Sequence, residues 1–374
     1  MNRSGSHGSS DAEAGAGVKI LITGVCGFVG STLARTLPEY RSGLEILGLD
    51  NLGRAGSELN RCELQQRGIK FLHADIRQSS DLEQLPPVDF VIDAAANPSV
   101  LAGVAGAGGS RQLVEHNCYG TVNLLEYCRK FGAGFSMLST SRVYSIEGLS
   151  RLPLSVADGK FVPDKSQPWP VGFSEQGISE EYSTAAPVSL YGATKLASEA
   201  LALEYGCTFD FPVWINRCGV LAGAGQFGRA DQGIFSYWIH SWCHRLPLKY
   251  LGFGGHGYQV RDCLQPRDLV PLIFSQAAVG ATFAGPRIVN VCGGISSAVS
   301  LRELSQWCHD YFGSHAVTAD ATERRFDLPW VVLDASRAQQ VWSWRPATSW
   351  QQICREIAEH ARKNPDWMLL SRGG

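Results

Sequence analysis

The chain has no run of eighteen or more apolar residues, so nothing in it reads as a membrane-spanning helix. It has no surplus of either charge. Its 33 basic and 35 acidic residues leave a net charge of −2, which argues against nucleic acid or an anionic membrane as partner. It has no C-x-x-C. The 11 cysteines are scattered, and Cys26, Cys118, Cys128 and Cys218 fall in apolar patterns as small core residues. Neither a metal site nor a disulfide framework is expected, and the compartment implied is a reducing cytosol. Residues 1–17 are rich in Gly, Ser and Ala and lack both apolar periodicity and the apolar core of a signal peptide. They are expected to form a disordered tail or tag.

What is present is 374 residues, 44% of them hydrophobic, enough for one large α/β domain or two lobes. The organising stretch is 18–50. An apolar run (Val18, Ile20, Leu21, Ile22) meets the turn Thr23-Gly24-Val25-Cys26-Gly27-Phe28-Val29-Gly30. A helical pattern (Val29, Leu33, Leu37) follows, then a second apolar run (Leu44, Ile46, Leu47, Leu49) that ends at Asp50. Strand, glycine turn, helix, strand and acid in this order suit a dinucleotide. Gly24 permits the tight turn, Gly27 the close approach of a pyrophosphate to the helix start, and Gly30 the packing of helix on sheet. Asp50 lies twenty positions past Gly30, the offset of an acid that holds ribose hydroxyls.

The remaining elements extend the pattern. Asn51 and Arg54 sit in a polar loop that could contact the adenosine half of the cofactor. Arg54 could read a 2′-phosphate, but Asp50 would repel one, so NAD is expected rather than NADP. A third strand (Ile69, Phe71, Leu72) leads to Asp75-Ile76, where Asp75 either meets the adenine or caps a following helix. A fourth (Phe90, Val91, Ile92) ends in Ala94-Ala95-Ala96, small residues that leave room for a cofactor. Asn97-Pro98-Ser99 and the Gly-rich 103–109 read as a loop over the site. Residues 114–131 are helical in pattern, with Asn117 either a buried polar bridge or a surface residue. Phe135 to Leu138 is the next strand and ends in Ser139-Thr140-Ser141-Arg142-Val143-Tyr144. Strands alternating with helices predict a doubly wound, Rossmann-type parallel sheet, with ligands at the carboxyl ends of its strands. Gly24, Asp50, Asp75, Ala95 and Thr140 all fall there. The stretch 146–187, rich in Pro, Gly and Ser, is expected to be a long loop folded over the site.

A long helix then opens with Tyr191-Gly192-Ala193-Thr194-Lys195, which places Tyr191 and Lys195 on one face. Free tyrosine, with a pKa of about 10, is a poor base at neutral pH. A lysine ammonium one turn away and an oxidised nicotinamide would favour the phenolate, and Tyr191 could then take a sugar hydroxyl proton as hydride leaves carbon. Thr140 could orient that hydroxyl, and Lys195 could also hold the nicotinamide ribose.

These motifs together resemble the extended short-chain dehydrogenase/reductase family: TGxxGFxG, Asp50, STSRVY and YGATK. The resemblance covers about residues 18–350. It implies tightly held NAD recycled within each turnover, and a nucleotide-sugar epimerase or dehydratase. Dehydratases of that family typically carry Thr-Asp-Glu at the strand end; here Ser141 and Arg142 follow Thr140, so elimination lacks its acid and base. The stretches Asn97-Pro98-Ser99-Val100, Ser189-Leu190-Tyr191-Gly192, Asn216 to Gly223, Asp231-Gln232-Gly233, Tyr250 to Gly255 and Gln259-Val260-Arg261-Asp262 are similar to the 2-epimerases of CDP-linked dideoxyhexoses. A 4-epimerase of a UDP- or CDP-sugar is the alternative, then a dehydratase or decarboxylase.

The resemblance assigns Pro98, Ser99, Ser141, Arg142, Asn216, Arg217, Gln232, Gly233, Gln259, Arg261 and Arg324 to the substrate. It places Arg261 and Arg324 on its diphosphate, which planar guanidinium groups suit. The cofactor is assigned Gly24, Gly27, Phe28, Val29, Gly30, Asp50, Asn51, Arg54, Asp75, Ile76, Ala94, Ala95, Ala96, Asn117, Tyr191 and Lys195. Residues 18–215 would form mainly the NAD-binding domain. Residues 216–374 would form a smaller α/β substrate lobe with segments returning to the main sheet. Residues 301–312 and 350–360 read as amphipathic helices, and Trp342, Trp344 and Trp350 as packing. The family implies a homodimer through helices at 114–131 and 191–205.

Overall fold

In the computed structural model, residues 18–101, 109–229 and 232–372 are described. Seven parallel strands form the central sheet: β1 (Lys19–Thr23), β2 (Glu45–Asp50), β3 (Lys70–His73), β4 (Phe90–Asp93), β5 (Gly134–Thr140), β6 (Val213–Cys218) and β7 (Ile288–Val291). Their order is β7-β6-β5-β4-β1-β2-β3, with register pairs such as Ile22↔Gly48, Ile22↔Ile92 and Asn216↔Leu138. The doubly wound expectation holds.

Near-continuous apolar strands are what a sheet covered on both faces requires. Successive residues of β1 enter opposite cores. Ile20 and Ile22 pack with Leu33 and Leu37 of helix α1 (Phe28–Tyr40) on one face. Leu21 packs with Leu124, Leu125 and Cys128 of helix α2 (Gly120–Phe131) on the other. The run expected at 114–131 is not one regular helix, because Glu115–Tyr119 forms a single π-helical turn before α2. The third helix that matters here, α3 (Ser189–Thr208), carries Tyr191 and Lys195.

The C-terminal part contributes β7 to the central sheet and builds a small mixed sheet of its own. That sheet joins Val220–Leu221, Val260–Leu264, Ala298–Ser300 and Trp330–Val331. The amphipathic patterns near 301 and 350 are the helices Leu301–Phe312 and Trp350–Lys363. The first is started by a capping box between Ser300 and Glu303. Trp344 donates to the Asp268 carbonyl, Trp342 packs against Trp214 and Phe283, and Trp350 packs on the C-terminal core, so all three serve packing.

The stretch 146–187 departs from expectation. It is not a bare loop but holds a helical turn (Ile146–Ser150) and two hairpins, Leu154–Ala157 with Lys160–Pro163 and Phe173–Ser174 with Gly177–Ile178. Its aromatic and aliphatic residues, Phe173 and Ile178 among them, join Trp330 and Val331 in a separate core. A few buried side chains at irregular spacing anchored it, which no 2.0 or 3.6 period reveals. All 11 cysteines are free; Cys26, Cys128 and Cys218 are buried and Cys118 half-buried. Among the described residues, no helix is long and apolar enough to cross a membrane.

Candidate active site

The glycine turn is built for close approach. Gly24 adopts φ +61°, and a Cβ there would sit 2.9 Å from Ala95 Cα. A Cβ on Gly30 would lie 2.2 Å from the Gly24 carbonyl oxygen, so α1 can abut the turn only through glycine. Gly27 precedes α1 in an extended conformation with no side-chain cap. The first-turn amides of Phe28 and Val29 thus begin a helix whose positive end suits a pyrophosphate. Asp50, 8% exposed, accepts the Cys26 N–H at 2.9 Å and the Leu52 N–H at 2.8 Å. Burial raises its pKa, opposed by those N–H groups. Each carboxylate oxygen keeps acceptor capacity for a ribose hydroxyl. Ala94 and Ala95 flank the turn, and the Ala95 N–H bonds Thr23 Oγ1 at 3.1 Å. The cradle therefore fits a dinucleotide. Asn60, unremarked in the sequence, braces it through the Cys26 carbonyl at 2.9 Å.

Other residues assigned to the cofactor are otherwise engaged. Asp75 holds Arg77 through both carboxylate oxygens and accepts from Asn51 Nδ2 at 3.1 Å. Burial raises its pKa, but the Arg77 and Asn51 bonds win and hold it well below the usual range. The helix-cap alternative for Asp75 fails, because Gln78 takes that position before the helix Ser79–Glu83. Ile76 is buried against Gly120 in the core. Asn117 is the polar bridge: its amide bonds both the N–H and the carbonyl of Asn97 and reaches Thr194 Oγ1. Arg54 points to the C-terminal part, with Nη1 on Gln232 Oε1 at 3.2 Å and Nη2 on the Phe227 carbonyl at 3.0 Å.

Thr140 ends β5, and its hydroxyl accepts the Arg142 N–H at 3.2 Å. Tyr191, 8% exposed, lies close enough to Thr140 for the Thr140 side chain to lower its pKa. Gly192 lets α3 approach the end of β5 closely, since a Cβ there would come within 2.3 Å of the Arg142 carbonyl oxygen. Lys195 is buried one turn on, and its charge acts on Asp93 and Cys218. Burial pushes the Tyr191 phenol up to about 12, helped by Cys218 and opposed by the Thr140 side chain and the charge of Arg142. The charge of Arg142, which the sequence reading did not weigh for this role, favours the phenolate.

Arg142 leads into a cavity. A cleft of about 940 Å³, open mouth included, is lined by Val100, Arg142, Gln232, Gly233, Gln259, Arg261 and Arg324, with Phe326 and Asp327. Tyr191 adjoins it, packing on Leu113 and Val100. The cleft is cation-rich. Burial and the neighbouring Arg261 bring Arg142 down to about 10. Burial and Arg324 lower Arg261, against Asp327, which accepts from Arg261 Nη2 at 3.1 Å. Guanidinium groups that depress one another stand ready for an anion of more than one charge. Gln259 Oε1 is buried without a hydrogen-bond partner, so it offers an acceptor to a bound N–H or O–H.

Six of the residues assigned to substrate thus meet in one cleft. Asn216 and Arg217 do not, because β6 buries both. Asn216 exchanges amide bonds with Gln276 and reaches Ser136. Arg217 forms a buried ion pair with Glu199 at 2.7 Å. Pro98, Ser99 and Ser141 do not line the cleft, nor does any described residue of 146–187. Asp231 and 103–108 lie outside the described residues. Phe326 and Asp327 were missed, although the Arg-x-x-Asp-Leu-Pro stretch contains both. Phe326 sits at φ +63°, and its carbonyl accepts from Arg142 Nη1 at 3.1 Å, strain of the kind functional sites retain.

CDP-paratose 2-epimerase of Salmonella typhi is 28% identical over 89% of this chain and 96% of its own. UDP-glucuronate 4-epimerase of Thermodesulfobacterium geofontis is 25% identical over 92% and 96%. A mutant UDP-glucuronic acid 4-epimerase from Bacillus cereus, solved with UDP-4-deoxy-4-fluoro-glucuronic acid and NAD, has a TM-score of 0.74 at 22% identity, over 92% and 99%, and shares the fold. The family model covers residues 20–292, more than half the chain, and on that match this protein belongs to the NAD dependent epimerase/dehydratase family.

Proposed function

We propose that this protein is an NAD-dependent epimerase of a nucleotide-activated hexose that works through a transient keto-sugar, at carbon 2 as in CDP-paratose 2-epimerase. The observation that carries the reading is the continuity of two sites. The Thr140 side chain is near enough to act on the Tyr191 phenol, and two residues past Thr140 the Arg142 guanidinium opens the arginine-lined cleft. A diphosphate held by Arg261 and Arg324 would leave its sugar at Tyr191.

NAD, when bound, supplies the acceptor and later the donor of a hydride. Tyr191 Oη takes the sugar hydroxyl proton and returns it at the end. Thr140 Oγ1 orients that hydroxyl. Arg142 favours the phenolate. Lys195 is the residue proposed to meet the nicotinamide ribose. Inversion requires the ketone to turn within the cleft, so that hydride would return to the other face of the carbon while the Tyr191 proton returns to the oxygen. Thr140-Ser141-Arg142 carries no carboxylate, which disfavours elimination. A 4-epimerase is the second reading, favoured by the relative from Thermodesulfobacterium geofontis, since the same three side chains serve either carbon.

We further propose a homodimer through the helices named above, where Val114, Tyr119 and Leu190 are exposed apolar residues. A reducing cytosol accords with 11 free cysteines.

The test incubates purified protein and NAD with CDP- and UDP-hexoses and follows the sugar by NMR and mass. Epimerisation without change of mass is expected. Tyr191→Phe should lose at least about 100-fold in kcat. Full turnover in that variant, or loss of water or carbon dioxide from the product, would refute the assignment. No turnover across a broad panel would favour a non-enzymatic NAD-binding protein.

A further inference from the structure

Arg54 follows the loop that starts at Asp50, so the sequence places it beside the cofactor's adenosine. Its contacts lie elsewhere. Besides Gln232 Oε1 and the Phe227 carbonyl, its guanidinium stacks on the Phe227 ring, 5.4 Å from the centroid. The Phe227 ring also stacks with Trp367, at 4.9 Å and 14°. Trp367 Nε1 in turn donates to the Gln226 carbonyl at 3.0 Å. Gly56 completes the fit, because a Cβ there would lie 2.7 Å from Phe227 Cε1. Gln232 is held from its other side by paired backbone bonds with Arg229. Gln232 and Gly233 then line the cleft, as do Ile234 and Phe235 at the start of the next helix.

We propose that Arg54 is a positioning residue for the substrate cleft and not a contact to the cofactor: it fixes Gln232 and the start of the helix Ile234–Cys243 in the place where they meet a nucleoside diphosphate. The loop that follows the ribose-binding strand and one wall of the substrate cleft are then a single braced unit. A cation is suited to this task because one guanidinium serves a side-chain amide, a backbone carbonyl and an aromatic face at once. A lysine could serve only part of that set.

The inference rests on the nucleotide-sugar reading, so its test separates the two. CDP and UDP are titrated into wild type, Arg54→Met, Arg54→Lys, Gln232→Ala and the Arg54→Met/Gln232→Ala double variant by calorimetry. Bound NAD is measured in the same preparations, with melting temperature as the check on folding. Arg54→Met should bind the better nucleotide on the order of tenfold more weakly, the scale of one lost charge-assisted hydrogen bond. Its NAD content should equal that of wild type. Arg54→Lys, which keeps the charge and is the variant read if Arg54→Met misfolds, should fall between the two. The double variant should be no weaker than the weaker single, because both lesions act through one contact. Wild-type affinity in Arg54→Met and Arg54→Lys would overturn the inference alone. So would loss of NAD from a folded Arg54 variant, or penalties that add in full. Wild type binding neither nucleotide would overturn the nucleotide-sugar reading and this inference with it.

Discussion

Gly30→Ala is the sharpest local test of the cofactor cradle. The added Cβ would lie 2.2 Å from the Gly24 carbonyl oxygen and 2.8 Å from both Gly24 C and Val25 Cα. All three are backbone atoms, so no side-chain rotation relieves the clash. To restore an ordinary contact, α1 must move about 1 Å from the turn, and overpacking of that kind costs roughly 1–3 kcal/mol. The same movement takes the helix start off the position where it faces a pyrophosphate, and misplacement by about 1 Å can cost on the order of 100-fold in a preorganised site. The expected outcome is a folded protein, melting a few degrees lower, that purifies with little NAD and needs far more to saturate. Gly43→Ala is the control. Gly43 has φ +76° with nothing within 4 Å of a Cβ, so it suffers only the left-handed backbone strain of about 1 kcal/mol. Calorimetric titration with NAD and a thermal melt compare the two. Gly30→Ala binding NAD as wild type does would refute the packing argument. Equal NAD loss in Gly43→Ala would show general destabilisation to be the cause.

Arg217→Met should destabilise by about 3–5 kcal/mol in urea unfolding, because it strands the Glu199 carboxylate beside Ser139 in the interior. Replacing Glu199 with Met as well should recover much of that loss, and a single variant within 1 kcal/mol of wild type (roughly) would contradict a closed buried pair. The pH dependence centres on His240 and His360, whose rings meet at 3.4 Å between Nε2 and Nδ1. Burial takes His240 down to about 3, aided by the charges of His360 and His244, and takes His360 down to about 4, aided by Lys363. The unfolded chain binds these protons near pH 6.5 and the folded chain does not. Stability is therefore complete above about 6.5 and falls as the pH drops toward 4. Burial raises Asp262 to about 6, which has the opposite slope between roughly 4 and 6. The measurement is thus the difference in urea midpoint between wild type and His360→Gln at pH 7.5 and 5, in which Asp262 cancels; a pH-independent difference would refute it.

The unit from β1 to Asp50 was legible because each of its demands is local. A turn with φ above zero, a helix start open to phosphate and an acid at the next strand end are set by residues within about thirty positions of one another. Tyr191 and Lys195 were legible for the same reason, since one helical turn puts them on one face. The two-sided sheet could be read from strands apolar at nearly every position.

The roles of polar residues distant in sequence were not legible. Arg217 and Arg261 look alike in sequence, each followed or preceded by apolar strand residues. Only the fold sets Arg217 against Glu199 of α3 and leaves Arg261 at a cleft beside Arg142, Arg324 and Asp327. Arg54 likewise found Gln232 and Phe227, more than 170 positions away. By itself the sequence determined the parallel sheet, the dinucleotide cradle and the tyrosine–lysine pair, because periodicity and short spacing act through the backbone nearby. Which arginine meets a ligand and which one braces the interior was decided by the tertiary structure, because the energy of a charge depends on the burial and partners that folding brings to it.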